Sequence, residues 1–172
     1  VGEGAKIRLI QLHGTDENAL LFTDTKGECR KDGRIEIIQI MLGKGDVYSD
    51  THIDLSGDGS SFKAYIGYFA EKTMTLDMNL VVNQIAKKTE SEINASGALK
   101  DAAKKIFRGT IDFRNGSSGS VGNEKETVLM LGEDVVNKTV PLILCAEEDV
   151  VGNHGATIGE LDEDTLFYFG TR

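Results

Sequence analysis

The chain has no tryptophan and only 6% aromatic residues, so aliphatic side chains must fill most of any core. A single proline stands against twenty glycines. Turns must then be made with Gly, Asn and Asp, which suits a fold of many short strands. The two cysteines, Cys29 and Cys145, lie far apart and form no CxxC pair. That argues against a disulfide framework, points to a reducing cytoplasmic compartment, and predicts that each thiol packs as a small core residue. No apolar run reaches the length of a membrane-spanning helix, and no signal-peptide pattern precedes the first strand-like segment. Basic residues are outnumbered, 19 Lys and Arg against 28 Asp and Glu, giving a formal net charge of −9. Nucleic acid and anionic membranes, which select basic surfaces, are therefore not expected partners.

Catalytic signatures are missing as well. The histidines are His13, His52 and His154, and none has a second His or Cys at zinc-ligand spacing. No nucleophile elbow, P-loop or dinucleotide fingerprint occurs, and "GEGAK" near the start reads as a tight turn. Asp46, Asp50 and Asp54 have helical ligand spacing, but their region reads as turn and strand, where they would share one face without converging. Spacing alone assigns no enzyme.

What the sequence does contain is alternation. Residues 73–83 put Met74, Leu76, Met78, Leu80 and Val82 on one face and polar residues on the other. Residues 61–69 do the same with Phe62, Ala64, Ile66 and Tyr68. Strand character also marks 6–12, 19–23, 106–113, 127–131 and 142–146. Residues 34–42 start in alternation and break phase at Ile37-Ile38, which predicts a bulge or bend. Residues 98–105 have helical propensity over a short span, and 115–123 read as a surface turn. Turn-like "GEGAK", "GDGSS", "SGALK" and "VGNEK" precede strand starts without a strict repeat, a loose recurrence that suggests coiled β architecture.

The closing segment carries a more specific signal. His154-Gly155-Ala156-Thr157, then Leu161-Asp162-Glu163-Asp164, then Leu166-Phe167-Tyr168-Phe169 resemble the end of the core domain of the SufB/SufD family of iron–sulfur cluster assembly proteins. Weaker likeness runs back through Phe107, Gly109 and Ile111, through Thr89 and Ser91 in a Thr-x-Ser position, and to about His52. His154-Gly155 stands where SufB has a His-Glu pair, which favours the SufD branch, and no cysteine stands at 124–127, where SufB carries a scaffolding cysteine.

The resemblance implies an all-β, right-handed parallel β-helix with at most short helices at its ends. It implies one core domain over 1–172, with the family's C-terminal helical ATPase-binding segment absent, and with Asp162-Glu163-Asp164 at the opening of a helix. It also implies a non-enzymatic role in SUF iron–sulfur cluster assembly, pairing with a SufB-like subunit or with a second copy. A SufC-type ATPase would join the full-length protein. The isolated domain would hold no cofactor, and a cluster would form transiently in the full complex. His154 is the candidate iron or cluster ligand, oriented by Glu147, Glu148 or Asp149. Leu142 and Leu144, flanking Ile143, are candidate interface residues within 127–146, because one face of that strand must look away from the interior. The alternative reading is a carbohydrate-active or carbohydrate-binding β-helix, and a third is a structural β-helix in which His154 is a turn residue.

Overall fold

The computed structural model describes residues 1–160 together with 167, 168, 170 and 171. Eleven strands follow one another: β1 (Lys6–His13), β2 (Leu20–Cys29), β3 (Arg34–Met41), β4 (Asp46–Leu55), β5 (Ser61–Ala70), β6 (Thr75–Gln84), β7 (Glu90–Lys100), β8 (Lys104–Phe113), β9 (Ser120–Leu131), β10 (Val136–Cys145) and β11 (Val150–Glu160). Odd-numbered strands form one sheet in the order β1-β3-β5-β7-β9-β11, and even-numbered strands the other, β10-β8-β6-β4-β2. Every pairing is parallel. The chain therefore climbs as a flattened parallel β-helix of about five turns, each turn contributing one strand to each sheet.

Period-two alternation sets which side chains enter the coil. Phe62, Ala64, Ile66, Tyr68 and Ala70 of β5 are buried, as are Leu76, Met78, Leu80 and Val82 of β6. Stacked rungs then line up like residues, so that Ile35 lies beside Phe62 and Val47 beside Leu76. The corner before β1, β3, β5, β7 and β9 recurs at Gly4, Asp32, Gly59, Lys88 and Gly119, all with positive φ. Backbone bonds tie each corner to the next rung, including Asp32 N to Asp58 O (2.9 Å), Gly59 N to Lys87 O (3.0 Å) and Lys88 N to Ser118 O (3.0 Å). "GEGAK" and "GDGSS" mark this corner two turns apart, whereas "SGALK" and "VGNEK" lie inside β7 and β9.

Three expectations are corrected. β3 has no bulge: its alternation is unbroken, with Gln39 taking a core position and Ile38 and Ile40 facing outward. Gln39 is accommodated because its amide donates to Ser49 Oγ (2.9 Å) and to Gln11 Oε1 (3.3 Å), so a polar pair runs through an apolar row. Residues 98–105 are strand, turn and strand rather than helix, because Leu99, Ala103 and Lys105 occupy buried rung positions. Cys29 packs in the core as expected, but Cys145 is exposed at the end of β10. Asp162, Glu163 and Asp164 lie outside the described residues. Among the described residues no helix is long and apolar enough to cross a membrane.

Candidate functional site

The polar chemistry of the coil interior collects around its C-terminal rungs. In β9 the inward row runs Ser120, Gly122, Glu124, Glu126 and Val128, so two carboxylates occupy positions that alternation reserves for the core. Both are nearly inaccessible, at 4% for Glu124 and 1% for Glu126. Lys105, on the facing strand β8, is fully buried and forms an ion pair with Glu126. Thr139 of β10 accepts from Lys105 Nζ (3.3 Å) and donates to Glu126 Oε2 (2.5 Å), and Tyr68 of β5 donates to Glu126 Oε1 (3.3 Å). The Lys105 ammonium also lies 5.8 Å from the ring centroids of Tyr68 and Phe107. Glu126 is thus fully engaged. Burial and the neighbouring Glu126 charge hold the Tyr68 phenol well above its usual range.

Glu124 is placed differently. Its side chain lies over Gly109, where an added Cβ would come within 2.3 Å of the carboxylate. The next residue along that row is Pro141, whose ring carries no donor. One Glu124 oxygen, Oε2, is buried without a partner. Burial first, and the Glu126 charge second, push this carboxyl up to about 7. Of the two buried carboxylates, only Glu126 is paired with the buried ammonium.

His154 lies on β11, directly in register with Glu124. Ala156 pairs with Glu126 and Gly152 with Gly122, so His154 belongs to the inward row of the terminal rung. It stays exposed because, among the described residues, no strand lies beyond β11. It is therefore a mid-strand residue rather than a turn residue. The carboxylates expected to orient it are elsewhere: Glu147 accepts from Gly116 N (2.9 Å) and Asp149 from Ser118 Oγ (2.7 Å), holding the preceding corner. On β10, Ile143 turns inward while Leu142 and Leu144 face out at 45% and 43% exposure, alongside Val140 at 51%.

Other sequence candidates have structural employment. Asp46, Asp50 and Asp54 share the outer face of β4 and each accepts from the next rung, from Thr75 N (2.7 Å), Asn79 Nδ2 (2.8 Å) and Asn83 Nδ2 (2.7 Å). No group of three metal-ligating side chains converges among the described residues. Thr89 and Ser91 clasp a corner, both hydrogen-bonded to Gln84 at 2.7 and 2.8 Å. A groove on the outer face of the even sheet has stacked Phe22 and Tyr48 rings with centroids 5.1 Å apart. Three carboxylates line it: Asp77 is paired with Arg108, Asp50 accepts from Asn79, and Asp24, in register with Asp50, lies 3.5 Å from Lys26. The Glu124–Glu126 pair escaped motif reading, yet Glu-Lys-Glu between Gly122 and Val128 is alternation that points both acids inward.

Two all-parallel sheets wound from alternating strands define a parallel β-solenoid whose interior turns polar at one end. The chain belongs to the SUF-system iron–sulfur cluster assembly family, SufBD core domain, whose model matches residues 1–172. It is 26% identical to the iron–sulfur cluster assembly protein SufD of Bacillus subtilis, over 99% of this chain and 39% of that protein. It is 22% identical to a SufBD family protein of Staphylococcus saprophyticus, over 100% of this chain and 37% of the relative. A chloroplastic SufBD family protein of Arabidopsis thaliana is 22% identical over 88% of this chain and 27% of its own length. The chain thus spans less than two fifths of the length of these relatives.

Proposed function

We propose that this chain is a SufD-like, non-catalytic subunit of the SUF scaffold, acting in the cytoplasm. It pairs through its C-terminal rungs with a SufB-like subunit or with a second copy of itself. The nascent iron–sulfur cluster, which is cargo rather than a resident cofactor, forms against that joined surface, and His154 supplies one iron ligand. A SufC-type ATPase joins the assembly through a segment outside residues 1–172.

The observation that carries this reading is the terminal rung. There β11 carries an exposed imidazole on its inward row, and β10, in the other sheet, carries an outward apolar row, Val140, Leu142 and Leu144. Edge strands with unpaired backbone groups invite a further strand, and apolar side chains at the same edge favour its association. A neutral imidazole is a borderline ligand that suits ferrous iron. One imidazole cannot hold a cluster, so the remaining ligands come from the partner, and the domain alone purifies without iron.

The pairing is tested by sedimentation at micromolar concentration, with the chain alone and mixed with a SufB-like subunit. The chain sediments as a dimer or joins the mixed complex, and the double substitution Leu142→Glu, Leu144→Glu returns it to monomer. A wild-type monomer that also ignores the partner, or an unchanged complex in the double variant, overturns the reading.

A further inference from the structure

We propose that Glu124 is the second ligand of a divalent-metal half-site that it forms with His154 between the last two rungs of the odd-strand sheet. The inference rests on the reading of His154 as an iron ligand and names what that end takes up: a single ferrous ion.

Glu124 and His154 are paired residue to residue and share the inward row, so their side chains run side by side on adjacent rungs. Neighbouring strands lie about 4.8 Å apart. Ligand-to-metal bonds from carboxylate oxygen and imidazole nitrogen are each about 2.0–2.2 Å. An ion lodged between the two rungs therefore reaches both groups without moving the backbone.

Everything around Glu124 leaves it free for such an ion. Lys105, Thr139 and Tyr68 are all directed to Glu126. The opposing strands offer Gly109 and Pro141, neither of which has a side-chain donor. Gly109 does more than stay silent. Any larger residue would collide with the carboxylate, so the cavity for Glu124 is built into β8. The result is an acid that is 4% exposed with one oxygen lacking any partner. A buried unpaired carboxylate is costly unless a cation or proton meets it. His154, exposed on the last rung, meets solvent first, and an ion held there is one rung from that bare oxygen.

Oxygen and imidazole donors together suit Fe(II), and equally the probe ions Co(II) and Zn(II). Two protein ligands leave the remaining positions to water or to a partner, so the half-site binds weakly and loses its ion on purification.

The test uses this chain, freed of metal by chelation, under anaerobic conditions. Titration with Co(II), followed by its visible d–d absorption, gives one bound equivalent. Glu124→Gln, an isostere, and His154→Ala each weaken binding by roughly tenfold or more, since even groups one shell further out are worth that much. A readout independent of any variant's folding comes from the unmutated chain with its glutamate carboxyl carbons labelled: Zn(II) shifts the Glu124 resonance. Full Co(II) affinity in Glu124→Gln with loss in His154→Ala overturns the role of Glu124 and leaves the His154 reading standing. Loss in Glu124→Gln with no change in His154→Ala overturns the shared site. No Co(II) binding at millimolar concentration, or an unmoved Glu124 carbon, overturns the half-site outright. None of these three results bears on cluster assembly by the complex, which is measured separately.

Discussion

At the scale of residues, this protein concentrates its unusual chemistry in a few buried groups of β8, β9 and β10. Lys105 and Glu126 are an ion pair at 0% and 1% side-chain exposure, so removing one partner strands the other charge out of water. Lys105→Met is expected to cost about 3–5 kcal/mol in urea unfolding, and the double change Lys105→Met, Glu126→Met to recover most of it. Glu124 acts through pH. Its folded value of about 7 lies above the ordinary glutamate value of 4.5, so between those values the folded chain holds a proton that the unfolded chain releases. Stability contributed this way is full below the lower value and is lost as pH rises through the upper one. At about 1.4 kcal/mol per pH unit, the loss across the window amounts to roughly 3 kcal/mol. In metal-free buffer, the stability difference between wild type and Glu124→Gln should fall by about that much from pH 4.5 to 7.5. Taking the difference isolates Glu124 from His13, whose burial lowers its own titration. Equal pH slopes in the two proteins would refute the assignment. The position of these acids on an inward row was legible in the Glu-Lys-Glu alternation. Their division of labour was not, because it depends on Tyr68, on Lys105 and Gly109, and on Thr139 arriving from three different strands.

At the scale of elements, most strands were legible, but β11 and the start of β9, which had read as a surface turn, were not, and neither was the coil period. The alternation in β5 and β6 placed their core residues correctly because nothing polar interrupts those rows. β3 misled because Gln39 sits in the core and two isoleucines face out, a swap that the contacts with Ser49 of β4 and Gln11 of β1 explain. The repeat is hidden because successive rungs are 26 to 32 residues apart and the corner residue changes from Gly to Asp to Lys while keeping positive φ. Packing of the corners against backbone gives a sharp contrast among the glycines. A Cβ at Gly57 would stand 1.9 Å from the Lys31 amide nitrogen, whereas one at Gly67, on the outer row of β5, meets nothing within 4 Å. Gly57→Ala is therefore expected to lower stability by about 2–3 kcal/mol. Gly67→Ala should raise it by about 0.5 kcal/mol, by restricting the unfolded chain. Thermal melts of the pair check this, and equal effects would contradict the stacking of rungs described here.

At the scale of the whole molecule, the two ends of the coil differ in kind. β1 presents Ile7 and Leu9 inward at 50% and 37% exposure, with Gln11 and His13 further along the row and no buried carboxylate beside them. The β10–β11 end joins buried acids, an exposed imidazole and an outward leucine row. That asymmetry is why the account assigns association and cluster chemistry to the same end. The family resemblance pointed to His154 and to Leu142 and Leu144 from sequence. The fold adds that the leucines face out on β10 while His154 looks along the coil interior from β11. The most direct measurement is cluster assembly by the complex of this chain with its SufB-like partner, comparing wild type with His154→Ala. Assembly is followed by the visible absorption of clusters delivered to an apo-acceptor. The account predicts that His154→Ala, an exposed position, leaves circular dichroism and melting unchanged while lowering assembly roughly tenfold or more. Undiminished assembly by a complex carrying His154→Ala, or a variant that unfolds while the complex stays active, would contradict it.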